Sequence, residues 1–312
     1  MNEQKLEEIV RRVLADLGAG SGADGATLAR EIAPSADANP EISGRDLVRP
    51  ASLPADVESG EVPDIRAVDY RELYNVPNAA NPEEFKRLKR GTAARLGLGR
   101  SGPRYSTWAL LRFWADNAAA QDAVFSDVNP DLLEKLGLFS VQTKCVSKDQ
   151  YLERPDLGTQ FDDAMIAKIK ERCIPNPQVQ ILVADGLSST AVEANVADLL
   201  PSLEQGLKLH GLTVGTPFYV KYGRVRAMEP IAEALNPDVI CILLGERPGL
   251  VTPESLSAYI AYKAKVGMSE ALRTCVSNIH KDGTNAIEAG AHIATLMSEM
   301  IQQQASGINL KV

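Results

Sequence analysis

Apolar and polar residues follow a helical period along the first 18 positions of the chain. In MNEQKLEEIVRRVLADLG the apolar side chains recur every three or four positions, at Leu6, Ile9, Val10, Val13, Leu14 and Leu17. This spacing predicts an amphipathic helix with a single apolar stripe. Gly18 is a suitable end for that helix. Residues 19–64 are rich in Gly, Ala, Ser, Pro and Asp without a sustained period, which predicts a flexible linker.

A short striped helix on a long polar tether has no core of its own. Such a helix is marginal alone in water, and docking into a groove of another protein buries its stripe. Folding back onto the rest of its own chain would bury the stripe equally well. The length and polarity of the linker favour a partner.

Residues 65–130 predict a small helical domain. This region contains FKRLKRGTAARLGLGRSGPR, in which basic side chains occur with no acid among them: Lys86, Arg87, Lys89, Arg90, Arg95, Arg100 and Arg104. Such a stretch is either a solvated face or a surface for phosphates or an acidic partner. The following TWALLRFWADNAAAQDAV predicts a helix that begins at Ser106 or Thr107, with Trp108, Leu111 and Ala115 in the core.

Residues 131–312 alternate between strand-like and helix-like segments. The clearest strand candidates are QVQILVA (178–184), TVGTPFYVKYG (213–223) and the continuous apolar run DVICILL (238–244), with TCVSNIH (274–280) as a fourth. Helical patterns separate them, and a good helical pattern follows in NAIEAGAHIATLMSEMIQQQ. Alternation of this kind predicts an α/β fold with a parallel sheet. A continuous apolar run predicts a strand that is buried on both faces.

Charged residues beside glycines follow each predicted strand. The strand ends give Asp185 to Ser188, Tyr222 to Val225 and Gly245 to Gly249, and Cys275 to Asn278 is a fourth contribution. Ligands of open parallel sheets bind outside the carboxyl ends of the strands. Helix capping by Asp185 and Ser188, and a surface ion pair between Glu246 and Arg247, are the simpler alternatives. Three such ends together favour a ligand site.

Composition and missing motifs exclude several classes of function. The formal net charge of −8 disfavours nucleic-acid binding, and no apolar run approaches the length of a membrane span or forms a signal core, so we expect an intracellular protein. The four cysteines and three histidines match no metal or disulfide spacing. GLGRSG (97–102) has the letters of a dinucleotide fingerprint but no strand before it. The absence of a recognisable catalytic set indicates a binding subunit, or one half of a shared active site.

Seven motifs follow one another along the chain: GRSGPR (99–104), YLERPDLG (151–158), ADGLSS (184–189), GTPFYVKYGRV (215–225), GERPGL (245–250), RTCVSNIH (273–280) and ASGIN (305–309). In this combination and order they resemble the small subunit of ethanolamine ammonia-lyase. The resemblance runs through nearly all of the chain from about residue 87. The segment KLEEIVRRVL near the N-terminus is also similar to the leading helix of that family, whereas the linker is similar only in its loose composition.

The resemblance implies much that spacing alone does not. The family's enzyme uses adenosylcobalamin and radical chemistry to convert ethanolamine to acetaldehyde and ammonia. A large TIM-barrel subunit holds the substrate, and a Rossmann-like domain of the small subunit covers the lower side of the corrin at their interface. Val225, Glu246 and Cys275 match the family's cobalamin contacts, and the resemblance assigns no catalytic residue and no metal ligand to this chain.

Two further expectations concern cobalt and location. The motif D-x-H-x-x-G, by which a histidine replaces the cofactor's own base, is absent, and His280 is followed by Lys-Asp-Gly, so we expect base-on cobalamin. The family works inside a bacterial microcompartment, so helix 1–18 resembles an encapsulation tag that docks on shell components. The competing hypotheses are a stand-alone α/β enzyme with a nucleotide cofactor and a scaffold held in a compartment by its helix.

Overall fold

The computed structural model of the chain describes residues 64–311. The helix predicted for residues 1–18, and all of the predicted linker except residue 64, lie outside this range. Both stay predictions, as do the predicted domain boundaries. Within residues 64–311, no helix is long and apolar enough to cross a membrane.

From residue 139 to residue 245 strands alternate with helical segments, as the sequence predicts, whereas three strands between residues 239 and 279 follow one another with no α-helix between them. The α-helices are α1 (Pro82–Arg90), α2 (Thr107–Phe125), α3 (Pro130–Lys135), α4 (Lys148–Glu153), α5 (Asp163–Arg172), α6 (Ser189–Leu209), α7 (Met228–Leu235) and α8 (Ala286–Gln303). The strands are β1 (Arg100–Ser101), β2 (Arg104–Tyr105), β3 (Phe139–Gln142), β4 (Val179–Ala184), β5 (Phe218–Lys221), β6 (Val239–Gly245), β7 (Leu256–Tyr262) and β8 (Thr274–Ile279).

Six of these strands form one sheet in the order β3-β5-β4-β6-β7-β8. The first four are mutually parallel, whereas β7 is antiparallel to both β6 and β8. The expectation of a wholly parallel sheet is therefore wrong at β7, which the sequence reading did not recognise. Its segment LSAYIAY mixes large apolar residues with Ser257, Ala258 and Ala261, and small residues of this kind weaken the apolar signal of a strand.

Both faces of the sheet are covered where β4 and β6 run, and every residue of these two strands is buried. Side chains of α6 and α8 form the core on one face. Side chains of α5 and α7 form the core on the other, which we name the α7 face. The continuous apolar run of DVICILL is thereby confirmed as a strand buried on both sides. Helices α6 and α8 approach closely because Gly290 carries no side chain, since a Cβ there would lie 2.8 Å from the carbonyl oxygen of Leu199.

The region before α3 has a small core of its own, made by Tyr70, Leu73, Leu98 and Ala109. Helix α2 begins at Thr107 with Ser106 as its N-cap, as predicted. The prediction that Leu111 is a core residue is wrong, because its side chain is exposed. The inward face of α2 instead carries Arg112 and Asp116, which are buried and paired at 2.9 Å.

Candidate functional site

The three predicted glycine-bearing strand ends meet at one edge of the sheet. The backbone N–H of Leu187, after β4, donates to the carbonyl of Gly245 at 2.9 Å. A Cβ on Gly186 would lie 2.2 Å from that same carbonyl oxygen. The N–H of Gly223, after β5, donates to the carboxylate of Asp185 at 3.3 Å. The ends of β4, β5 and β6 are thus held together by short backbone contacts, as expected for neighbouring strands.

Asp185 is a buried residue that contacts the ends of neighbouring strands at this edge. Of the two predicted capping residues, only Ser188 caps α6, where its hydroxyl accepts from the N–H of Ala191. The Asp185 carboxylate is fully buried and lies 3.6 Å from the ammonium of Lys148. Burial raises the pKa of Asp185, and the charge of Lys148 opposes that rise. Through the N–H of Gly223 and the charge of Lys148, Asp185 joins the chain after β4 to the chain after β5 and to α4.

Glu246 is the first charged side chain beyond the buried part of β6. Its N–H donates to the carbonyl of Ser255 at 3.0 Å, which continues the pairing with the chain before β7. Its half-buried carboxylate accepts a hydrogen bond from the hydroxyl of Tyr259 at 2.7 Å. The alternative ion pair with Arg247 is not formed, because the ion pairs among the described residues include neither Glu246 nor Arg247.

Cys275 lies near the start of β8, within the strand predicted for residues 274–280, whereas Val225 and Glu246 follow the carboxyl ends of their strands. Its position in the sheet is opposite Tyr259 of β7, which is itself opposite Ile242 of β6. Residues opposite one another in a sheet point to the same side, so Cys275 belongs to the α7 face together with Tyr259. Partial burial and the nearby carboxylate of Glu246 raise the pKa of the Cys275 thiol, although the residue as a whole is exposed. The thiol is therefore uncharged at neutral pH.

Tyr259 is the residue of this cluster that the sequence reading missed. The sequence analysis does not predict β7. Without that strand, nothing in the sequence places Tyr259 beside Glu246 or Cys275. In the structure Tyr259 joins Glu246 and Cys275 across three neighbouring strands. Burial raises the pKa of Tyr259, and its hydrogen bond to the Glu246 carboxylate adds to the rise. The phenol therefore stays protonated and remains a hydrogen-bond donor.

Val225 lies at the other side of the same edge. It begins a short 3-10 helix, Val225–Ala227, which follows β5. Its partly buried side chain packs against the core of the α7 face. Four strand spacings of about 4.8 Å separate β5 from β8, so the strands that carry Val225 and Cys275 are roughly 19 Å apart in the direction perpendicular to the strands. A single ligand that touched both residues would have to be large.

The buried carboxylate of Glu229, on α7, connects the two sides of this site. It accepts hydrogen bonds from Arg226 at 3.0 Å, from the N–H of Gly267 at 2.9 Å and from Arg273. Arg226 follows Val225 directly, and Arg273 stands two residues before Cys275. Burial alone would raise the pKa of Glu229. The hydrogen bonds from Arg226 and Gly267 and the charges of Arg226 and Arg273 outweigh it and hold the pKa below its ordinary value.

Most basic side chains of the stretch 86–104 form ion pairs or hydrogen bonds with other residues of this chain. Three of its exposed side chains pair with nearby acids, in the pairs Lys86–Glu83, Arg87–Glu84 and Arg90–Glu72. Lys89 is buried and donates to the carbonyl of Leu96 at 2.6 Å. Arg95 donates to Asp116 at 2.6 Å and to the carbonyl of Leu250 at 2.8 Å. Arg100 and Arg104 remain exposed on the short β1–β2 hairpin.

The hairpin that contains GLGRSG lacks the strand–turn–helix geometry of the dinucleotide fingerprint. No strand runs into it, and Gly97, Gly99 and Gly102 take positive φ angles to form the turn. Arg95 and Leu250 line an apolar cleft of about 720 Å³ beside it. Through these contacts the basic stretch supports the turn that follows Glu246.

Comparison with known proteins decides the family. The family model described as ethanolamine ammonia-lyase light chain (EutC) matches residues 82–311. The chain belongs to the ethanolamine ammonia-lyase small-subunit family. The seven motifs that carry the resemblance all lie within the matched range. Membership in a small-subunit family of a lyase implies that the chain has a large-subunit partner.

Relatives of this small subunit cover most or all of its length. The ethanolamine ammonia-lyase small subunit of Clostridium perfringens is 57% identical over 256 residues, which is 82% of this chain and 87% of the relative. That of Fusobacterium nucleatum is 53% identical over the same shares. That of Listeria monocytogenes serovar 1/2a is 47% identical over 311 residues, or 100% of both chains.

The network around Glu229 predicts a pH-dependent stability difference. We expect Glu229→Gln to lower the free energy of unfolding of the small subunit by about 3 kcal/mol at neutral pH, because two arginines lose their buried counter-charge. The pKa of Glu229 is lowered from 4.5, so the stabilisation is fully present above pH 4.5. It is lost as the pH falls through the lowered value, where the wild-type side chain becomes neutral as well.

Unfolding temperatures of both proteins, measured from pH 8 to pH 3, test this expectation. Glu233→Gln, on the exposed side of the same helix, is the matched control and should change stability by less than about 0.5 kcal/mol. A stability difference for Glu229→Gln that stayed constant down to pH 3 would contradict the assigned ionic role.

Proposed function

We propose that this small subunit covers the lower side of base-on adenosylcobalamin at an interface with the large TIM-barrel subunit. Together the two subunits would convert ethanolamine to acetaldehyde and ammonia. In this proposal the α7 face and the adjoining strand ends serve as a Rossmann-like platform for the cofactor. The observation that carries the proposal is the position of Val225, Glu246 and Cys275 on one side of the sheet, over a width of roughly 19 Å.

The chemistry of these three side chains fits the cofactor. Cobalamin is a broad macrocycle whose rim carries amide side chains. The Glu246 carboxylate accepts the Tyr259 hydroxyl on one oxygen, and its second oxygen accepts no hydrogen bond from the described residues. A carboxylate oxygen of this kind suits an amide N–H. Val225 and the uncharged Cys275 thiol offer apolar contact to the ring.

The chemistry of the reaction belongs to the cofactor, which supplies a carbon radical by homolysis of its cobalt–carbon bond. The residues of this chain bind, orient and exclude water. Asp185 is buried beneath the strand ends, and Glu229 has its hydrogen bonds taken up by Arg226, Gly267 and Arg273. Neither side chain is placed to exchange a proton with a substrate. We therefore assign the substrate contacts to the large subunit and expect activity only when both subunits are present.

The histidines support base-on binding. The imidazole of His280 is buried, and its two nitrogens are engaged by Asn278 at 2.8 Å and by the N–H of Asp282 at 3.2 Å. His210, which follows the last residue of α6, and His292, which lies on α8, are both exposed. The described residues also contain no group of three His, Cys, Asp or Glu side chains placed to hold a metal ion.

Electron paramagnetic resonance tests the base-on expectation. The complex of both subunits is loaded with cob(II)alamin, and the small and large subunits are labelled with ¹⁵N-histidine. We expect the nitrogen superhyperfine splitting of cobalt to be the same with and without the label, because the ligand is the cofactor's own base. A label-dependent change in the splitting would show a protein imidazole on cobalt and would overturn base-on binding.

A reconstitution experiment tests the shared function. Acetaldehyde release from ethanolamine is measured with adenosylcobalamin for this chain alone, for the large subunit alone and for the mixture. We expect activity only in the mixture. Glu246→Ala should weaken the affinity of the mixture for the cofactor by about tenfold or more, because an amide loses a charged hydrogen-bond acceptor.

Arg247→Ala is the matched control for that substitution. Arg247 is the exposed neighbour of Glu246, and it makes no ion pair with the described residues. Its removal should leave cofactor affinity within about twofold of wild type, as for a solvated surface charge. A mixture that stays inactive although both chains are folded would overturn the proposal, and so would equal cofactor affinities for Glu246→Ala and wild type.

We also propose that residues 1–18 direct the subunit into a bacterial microcompartment by docking on shell components. The support is the apolar stripe of the sequence and its resemblance to the leading helix of the family. Residues 1–18 fused to a fluorescent protein should co-localise with shells in shell-forming cells. A matched fusion with Ile9 and Val13 both changed to Glu should stay diffuse, because the stripe is interrupted. Diffuse fluorescence of the unchanged fusion would contradict the proposal.

A further inference from the structure

We propose that Tyr259 is a positioning residue, which orients the Glu246 carboxylate toward the cofactor. The inference rests on the proposed function, since it assigns how one of its binding residues is held. Its basis is the hydrogen bond from the Tyr259 hydroxyl to Glu246 and the location of both side chains on the uncovered part of the α7 face.

The antiparallel strand β7 gives Tyr259 its place. It lies between β6, which leads to Glu246, and β8, which carries Cys275. The inner part of its side chain packs against the core of the α7 face, which anchors the ring. The hydroxyl then donates a hydrogen bond to the Glu246 carboxylate at 2.7 Å. No other described side chain donates to Glu246.

The Glu246 side chain has one hydrogen-bond partner that can orient it. Arg247, Pro248 and Gly249 leave the sheet directly after Glu246, and the Tyr259 hydroxyl is the side-chain donor to its carboxylate among the described residues. An unrestrained glutamate loses much rotamer freedom when it binds a ligand. Tyr259 holds one carboxylate oxygen in advance and leaves the other for the ligand. A binding group that is already oriented loses less entropy on association.

The uncovered surface begins where this pair lies. On β8 the residues Cys275, Ser277 and Asn278 are exposed, whereas β4 and β6 are covered completely. The oriented carboxylate thus stands at the boundary between the covered and the open part of the face. A ligand resting on the open part would meet Glu246 at its rim.

Substitutions at both ends of the hydrogen bond test the inference in the complex of the two subunits. The dissociation constant of cobalamin is measured by absorbance titration, and folding is checked by thermal unfolding of each variant. We expect Tyr259→Phe to weaken cofactor binding by about tenfold, because only the hydroxyl is removed and the carboxylate loses its orientation. At saturating cofactor, kcat for ethanolamine should stay within about twofold of wild type, since a positioning residue acts on binding.

Tyr262→Phe is the matched control. Tyr262 is on the same strand, packs against the core on the opposite face of the sheet, and its hydroxyl makes no hydrogen bond with the described residues. Its substitution should leave the dissociation constant unchanged. The same loss of affinity in Tyr262→Phe and Tyr259→Phe would overturn the inference in favour of a general effect on the strand.

The effect of Tyr259→Phe on cofactor affinity, measured in two variants at position 246, distinguishes positioning from a structural effect. In a Glu246→Gln background the amide oxygen still accepts from Tyr259, so Tyr259→Phe should weaken binding further. In a Glu246→Ala background nothing remains to be oriented, so Tyr259→Phe should have no additional effect. An equal effect of Tyr259→Phe in both backgrounds would overturn the inference.

The two proposals fail differently. If Glu246→Ala binds the cofactor as wild type does, the proposed role of Glu246 is wrong and the role of Tyr259 is overturned with it. If Glu246→Ala weakens binding and Tyr259→Phe does not, only the positioning role is overturned.

Discussion

The close approach of two turns at the end of β4 and β6 governs the architecture of this edge. A Cβ on Gly245 would lie 2.1 Å from the carbonyl oxygen of Ser188, so no larger residue fits where β6 leaves the core. Gly186 meets the same restriction from the opposite side. The backbone therefore emerges without side chains at its tightest point. Glu246 is the first position after Gly245, and its longer side chain reaches the Tyr259 hydroxyl beyond this tight point.

Two glutamates near this edge have opposite surroundings. Glu229 is enclosed, and its carboxylate is occupied by two arginines and a backbone N–H. Glu246 is half-buried. One of its carboxylate oxygens accepts a hydrogen bond from a hydroxyl, and the other accepts none from the described residues. The first arrangement stabilises the fold, and the second leaves capacity for a ligand. Residue type does not separate these roles, whereas the number of donors around each carboxylate does.

Sequence reasoning reached the parts of the structure that local pattern determines. The continuous apolar runs of β4 and β6, the glycines after them and the serine caps of α2 and α6 all follow from the nearest neighbours in the chain. The direction of β7 does not, because antiparallel and parallel strands with small residues have the same composition. With β7 unassigned, Tyr259 had no strand partners, and Cys275 could not be placed opposite it.

Helix α2 shows a different limit of pattern reading. Its apolar positions predicted a buried stripe, but the side turned inward carries the pair Arg112 and Asp116. Their inward orientation depends on Arg95 and on the backbone carbonyls of Ile65 and Val68, which contact the pair from elsewhere in the chain. Helical periodicity identifies two faces of a helix, and only tertiary contacts decide which face is buried.

Strands β6, β7 and β8 are consecutive in the chain, so contacts among them join residues that are close in sequence. Glu246 and Tyr259 are 13 residues apart, whereas the bond between Glu229 and Arg273 closes a separation of 44 residues. Loop closure costs more entropy as the loop lengthens, and contacts of short separation form fastest during folding. The carboxylate and its tyrosine thus belong to a nearly self-contained folding unit. The ionic contact that joins this unit to α7 closes a longer loop and therefore costs more chain entropy than the contact within the unit.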